Sequence, residues 1–272
     1  NGEMMYQMIK VFERFDKFLK SSKYFILEKS QFLKKIQKKK LTSCKVSWVD
    51  SLNKLENGPN IFLANEFFDA LPIKQFIKKN NKWFEKKIKI TSANNFEFVD
   101  KLTVIKNLEK KIGINLSHNQ KIIEFSPLAY KYLNNISKKI NTFKGGLLII
   151  DYGYLEKKMK NSLQSVRKHK FSSILKDLGN SDITYNVNFN LLKKITKKLN
   201  LKVTGITTQK NFLTKLGIMQ RAEILAKNLK FSKKADIYYR LNRLIDNKFM
   251  GDLFKVMFVT KKNNKFKIGF EN

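Results

Sequence analysis

The 272 residues are 42% hydrophobic with only 3 prolines and 11 glycines, enough for one large domain with a sizeable core and no recognisable linker or internal repeat. A single cysteine, Cys44, excludes an internal disulfide framework and points to a reducing compartment; together with His118 and His169 it is too little to suggest a metal cluster, so no metal is expected. The formal charge of +34 invites a nucleic-acid reading, but only five of the 56 basic residues are arginine. Dispersed lysine with abundant asparagine is what A/T-rich codons supply, whereas phosphate readers favour the arginine fork. No specific nucleic-acid partner is therefore expected, and no apolar stretch is long enough to span a bilayer.

In chain order, Met5, Met8, Ile9 and Phe12 recur at helical spacing. Tyr24-Phe25-Ile26-Leu27 reads as a short buried strand and is followed by Glu28. Phe32, Ile36 and Leu41 return to helical spacing; Val46-Ser47-Trp48-Val49 is a second strand, followed by Asp50 and Ser51. A third apolar run, Ile61-Phe62-Leu63-Ala64, ends abruptly in Asn65-Glu66-Phe67-Phe68-Asp69. Ile73, Gln75 and Ile77, the Asn80-Asn81 turn and Trp83 to Ile90 predict an inserted hairpin within 73–100, either a contact for a protein substrate or a plain surface hairpin. Ser126-Pro127 is a helix start signal ahead of Leu128, Tyr132, Ile136 and Ile140. Leu147-Leu148-Ile149-Ile150 is a further strand, followed by Asp151.

Short apolar runs alternating with helices predict a doubly wound, mostly parallel α/β sheet. Ligands of such sheets lie beyond the carboxyl ends of the strands. One acid after a strand is more often a cap or turn former; four in succession point to a shared site.

Asn65-Glu66-Phe67-Phe68-Asp69-Ala70-Leu71-Pro72 resembles the signature of a family of S-adenosylmethionine-dependent methyltransferases, that of the mitochondrial complex I assembly protein arginine methyltransferase and its bacterial relatives. Further motifs follow in the family's order: Glu124-Phe125-Ser126-Pro127, Gly146 to Tyr154, Leu163 to His169, Asp182-Ile183-Thr184 leading into Asn186 to Phe189, Phe212 to Ile218, and Met250 to Val256. The resemblance implies a class I, Rossmann-like methyltransferase fold, with S-adenosylmethionine as cofactor and a protein as substrate. It also implies a compartment, cytoplasmic in a bacterium and the mitochondrial matrix in a eukaryote. Asn188 stands where relatives usually carry aspartate and is given no catalytic role. In the family the first strand ends in a glycine-rich loop around the methionine part of the cofactor, and Asn1-Gly2 looks like the end of that loop. The chain is accordingly expected to be a fragment that begins inside the loop, with the first strand missing.

The chemistry assembles from residue types. A carboxylate after the second strand of a nucleotide-binding sheet accepts ribose hydroxyls, which assigns Glu28 to the ribose. Asp50 and Ser51 stand where such enzymes contact adenine, with a helix cap as the competing reading. Gly2 and Asn65 complete the expected cofactor set. An arginine acceptor must be oriented by carboxylates and surrender a proton; Glu66 and Asp69 are the candidates, with Asp151, Tyr152 and Tyr154 lining the acceptor side and His169 either a proton shuttle or, as loop histidines more often are, structural. Two other readings stay open: a noncatalytic assembly protein on the same fold, and a nucleotide-dependent oxidoreductase, which Glu28 would serve equally well.

Overall fold

The structure, a computed structural model, describes residues 2–168, 170–176 and 178–271. The chain groups into two compact units, Asn1–Gly58 and Pro59–Asn272, where the sequence suggested one domain over 1–272.

The first unit begins with α1 (Glu3–Phe12) and α2 (Asp16–Ser21), followed by β1 (Tyr24–Leu27), α3 (Gln31–Lys40), β2 (Val46–Val49) and a 3-10 turn, Leu52–Lys54. Both strands coincide with the predicted apolar runs. They pair in parallel, from Tyr24 opposite Val46 to Leu27 opposite Val49, so the chain must cross over between them, and α3 is that crossover. Ser30 starts α3, its hydroxyl accepting from the Leu33 N–H at 3.2 Å, which satisfies one of the unpaired donors of the first turn.

The second unit opens with β3 (Asn60–Asn65), then β4 (Lys74–Lys79), β5 (Lys82–Ile90), β6 (Phe96–Thr103), α4 (Ile105–Ile112), β7 (Ile122–Phe125), α5 (Pro127–Phe143) and β8 (Gly145–Tyr154). Three short strands, β9 (Gln164–Arg167), β10 (Lys170–Ser172) and β11 (Asp182–Thr184), form a small antiparallel sheet. After them come β12 (Val187–Asn188), α6 (Phe189–Lys198), β13 (Leu201–Thr208), α7 (Gln209–Lys215), α8 (Ile218–Ala226), α9 (Phe231–Ile245), α10 (Met250–Leu253) and β14 (Phe254–Lys261).

The main sheet is built on β8, which takes β3 and β12 in parallel and β14 antiparallel, with β13 beyond β14. It is thus mixed rather than mostly parallel. Thr208, the last residue of β13, lies opposite Lys255 near the start of β14, so α7 to α10 leave and return at one end of the sheet and β14 has to run back. Leu147 and Ile149 of β8 and Val256, Met257 and Val259 of β14 are fully enclosed, as is Ile140 of α5. Alternation along the strands turns Leu147, Ile149, Met257 and Val259 to one face of the sheet and Val256 to the other, so both faces of this sheet are covered.

What the sequence shows as a hairpin is part of a larger piece. The β4–β5 hairpin is present, closed by Asn80 and Asn81 with φ of 45° and 59°, the left-handed pair that a two-residue turn between twisted strands requires. β6 and β7 extend it into a four-stranded antiparallel sheet in the order β6-β5-β4-β7.

Candidate functional site

β8 is longer than the predicted run, and its extra length makes the site. β3 pairs with it as far as Asn65 opposite Ile150, and β12 takes over only at Gly153. Asp151 falls in the gap between these two partners. There β3 has ended and its chain turns away through Glu66 to Pro72, leaving backbone N–H groups without a strand to pair with. Asp151 Oδ2 accepts three of them, from Phe67 at 3.2 Å, Phe68 at 2.8 Å and Asp69 at 3.3 Å, while Oδ1 takes the Tyr152 N–H at 2.9 Å. Asp151 is 0% exposed. The sequence places it after a strand, lining the acceptor side; it lies inside the strand instead, beneath the loop it holds.

The loop is fixed at other points too. The Glu66 N–H donates to the Ile150 carbonyl at 2.9 Å, Phe68 is fully buried, and the Ser126 hydroxyl donates to the Pro72 carbonyl at 2.8 Å. Phe67 meets the Tyr132 ring edge-on at 5.1 Å. Glu66 itself has φ 47°, a left-handed conformation that costs a residue with a Cβ about 1–2 kcal/mol, and its side chain is exposed. The Asn65 amide nitrogen lies 3.3 Å from Glu66 Oε1; Asn65 therefore steers Glu66 and caps no helix.

Asp69 is the unusual member. It is 6% exposed, and its Oδ1 is buried without a hydrogen-bond partner, a state that costs a carboxylate several kcal/mol. Burial raises its pKa against the lowering effect of a side-chain hydrogen bond with Asp151, and the nearby Glu66 charge adds to the rise. Burial and the Asp69 charge push Asp151 up to about 8 against the pull of the three N–H donors. Burial also raises Tyr152 and Tyr154. The result is a tightly anchored loop with two carboxyls side by side, one of them short of a donor, and a third, exposed carboxylate next to them.

A further buried acid went unassigned in the sequence. Glu124, at the end of β7, accepts through Oε1 from Gln75 Nε2 at 2.7 Å, the Ser162 N–H at 3.0 Å and the Leu163 N–H at 3.1 Å, and its Oε2 takes the Ser162 hydroxyl. The Ser162 oxygen in turn accepts the Asn186 N–H at 3.0 Å. This ties the 161–163 segment to β7 and to the turn before β12. An acid inside the apolar run Ile122-Ile123-Glu124-Phe125 is the signal that could have found it. Asn188 caps α6, accepting from the Leu191 N–H at 2.8 Å, a structural role consistent with giving it no chemistry. His169 lies outside the described residues. Among the described residues no group of three or more His, Cys, Asp or Glu is placed to hold a metal ion, and no helix is long and apolar enough to cross a membrane.

The residues expected to meet the cofactor other than Asn65 belong to the first unit. Gly2 precedes α1 with φ 86°, a conformation glycine adopts freely. Glu28 and Asp50 follow two paired strands and stand side by side, the Glu28 N–H donating to the Val49 carbonyl at 3.1 Å. The Glu28 carboxylate is oriented by the Ser30 N–H at 2.9 Å and by Gln37 Nε2 at 3.0 Å, and Gln37 Oε1 takes the Trp48 indole N–H at 2.8 Å. Each Glu28 oxygen has one protein donor and can accept another, so a pair of hydroxyls fits. Gln37, 6% exposed, was missed, because nothing in a lysine-rich helix marks one amide as buried. Asp50 pairs with Lys54 at 2.9 Å, and Ser51 caps the 3-10 turn through the Asn53 N–H at 3.3 Å. Ser51 therefore already serves the capping role that competed with adenine contact, while Asp50 is held by an ion pair.

Comparison with known proteins adds family context. A family model described as "Putative S-adenosyl-L-methionine-dependent methyltransferase" matches residues 1–207. The chain is 30% identical over 218 residues to a mitochondrial protein arginine methyltransferase NDUFAF7 homolog of Caenorhabditis elegans, covering 78% of this chain and 49% of the relative. It is 28% identical over 215 residues to NDUFAF7 of Xenopus laevis, covering 77% and 48%. The chain thus spans about half the length of these relatives. A Burkholderia thailandensis protein crystallised with S-adenosyl-homocysteine shares the fold, with a TM-score of 0.79 at 19% identity over 100% of this chain and 70% of that one. The chain belongs to the S-adenosyl-L-methionine-dependent methyltransferase family that the model describes.

Proposed function

We propose that the protein transfers a methyl group from S-adenosylmethionine to an arginine of a protein substrate, a respiratory complex I subunit or its bacterial counterpart. Its compartment would be the mitochondrial matrix in a eukaryote and the cytoplasm in a bacterium. The observation that carries the acceptor assignment is Asp69: a buried carboxylate oxygen with no donor, next to the exposed carboxylate of Glu66. A guanidinium offers five N–H donors in a planar fork and suits paired carboxylates better than the compact ammonium of lysine. The names of the Caenorhabditis and Xenopus relatives, protein arginine methyltransferases, support the same reading.

When bound, S-adenosylmethionine supplies an electrophilic methyl group on a sulfonium. The chain's own residues then have positional and electrostatic tasks. Glu28, held by Ser30 and Gln37, accepts the ribose hydroxyls, and the backbone at Gly2 allows close approach of the cofactor. Glu66 and Asp69 align the guanidinium and offset its charge, and the Asp69 carboxylate can take the proton that nitrogen releases. Asp151 is a positioning residue, acting through the three loop N–H groups it binds.

The test uses the full-length protein. Glu28→Ala should weaken S-adenosylmethionine binding by roughly 1.5–3 kcal/mol, the worth of charge-assisted hydrogen bonds to two hydroxyls, as read by calorimetry. Unchanged affinity would remove the ribose assignment.

A further inference from the structure

The distal part of β5 and β6 exposes an apolar face. Ile88 pairs with Phe98 and Ile90 with Phe96 across the ribbon, and Leu102 shares their side. These five are 53%, 37%, 63%, 42% and 61% exposed. The opposite face of the same strands is charged, with ion pairs such as Lys89–Glu97 and Lys87–Glu85. An antiparallel sheet normally turns its apolar alternation towards a core and its polar one towards water; here these apolar side chains are exposed.

We propose that this face is where the protein pairs with a second copy of itself, two β5–β6 ribbons stacking face to face about a two-fold axis. Area is the first argument. The exposed fractions amount to roughly 500 Å² per copy, the upper range for an apolar patch on a monomer. Two copies would withdraw about 1,000 Å², where specific interfaces begin, so association should be weak and reversible.

Charge is the second. A chain of formal charge +34 repels its own copy over most of its surface, and an acidic partner would be drawn to the lysines rather than here. This face carries one acid in its middle, Asp100, which lies opposite Lys86 and is paired with Lys79 of its own chain at 2.5 Å, and Lys86 Nζ sits 4.7 Å from the centre of the Phe98 ring. A two-fold axis sets a patch against itself, so Lys86 of one copy can meet Asp100 of the other and join its pair with Lys79.

Sedimentation velocity from about 1 to 200 μM at near-physiological salt, a range that brackets weak interfaces, tests this. The wild type should show a reversible monomer–dimer equilibrium. Ile88→Thr combined with Phe98→Thr, at exposed positions and with strand propensity kept, should weaken it at least tenfold with a nearly unchanged thermal melt. Lys86→Glu should also weaken association, and adding Asp100→Lys should restore it. A wild type that stays monomeric throughout, or a dimer no weaker in any of these variants, would overturn the proposal.

Discussion

At the scale of the residue, Asp151 and Asp69 decide how the site is built. Burial lifts both carboxyls above the ordinary range, Asp151 to about 8. Between about pH 4 and that value the folded protein keeps a proton that the unfolded chain has released. The pair's contribution to stability is therefore complete at acid pH and is lost as pH rises through the folded value, by about 1.4 kcal/mol per unit of difference. Urea unfolding at pH 5 and pH 8.5 should show this loss in the wild type and a smaller one in Asp69→Asn, which removes the like charge; equal losses would refute the coupling. Asp151→Ala removes the acceptor from four backbone N–H groups and should cost about 3 kcal/mol or more.

At the scale of the element, the site depends on how β3, β8 and α5 meet. Ser126 both caps α5, accepting the Ala129 N–H at 3.1 Å, and donates to the Pro72 carbonyl at the end of the loop. Ser126→Ala should cost about 1–2 kcal/mol in denaturant unfolding, and a loss under about 0.3 kcal/mol would show that neither bond matters. Gly153 is where β12 reaches β8: a Cβ there would lie 2.3 Å from the Val187 carbonyl oxygen. Gly153→Ala should therefore disturb the handover of partners that leaves Asp151 in its gap.

The elements themselves were legible. The runs Tyr24–Leu27 and Val46–Val49 are β1 and β2, Ser126-Pro127 starts α5, and Asn80-Asn81 closes a hairpin. The antiparallel return of β14 was not legible, because periodicity reports which face of a strand is buried and not which neighbour it pairs with. For the same reason the sequence found Asp151 but placed it at a strand end. Glu124 left a local trace, an acid inside an apolar run, but its partners lie about 40 residues and more along the chain, and nothing in a lysine-rich helix marks Gln37 as buried.

At the scale of the whole molecule, the lysine excess is spread over both units. Unrelated duplex DNA should bind through counterion release alone, without sequence preference and weakening steeply, by about a thousandfold, between 50 and 200 mM salt. Sequence-selective binding that survives high salt, read by fluorescence anisotropy, would contradict this. The central claim concerns the carboxylates after β3 and an arginine acceptor. Its most direct test is methyl transfer by the full-length protein from labelled S-adenosylmethionine to candidate protein substrates, with the modified residue mapped by mass spectrometry, in wild type and Glu66→Gln. The account predicts methylated arginine in the wild type, and in Glu66→Gln an unchanged cofactor affinity with turnover slowed by about one hundredfold. Methyl groups mapped to lysine or histidine, or full turnover in Glu66→Gln, would contradict it.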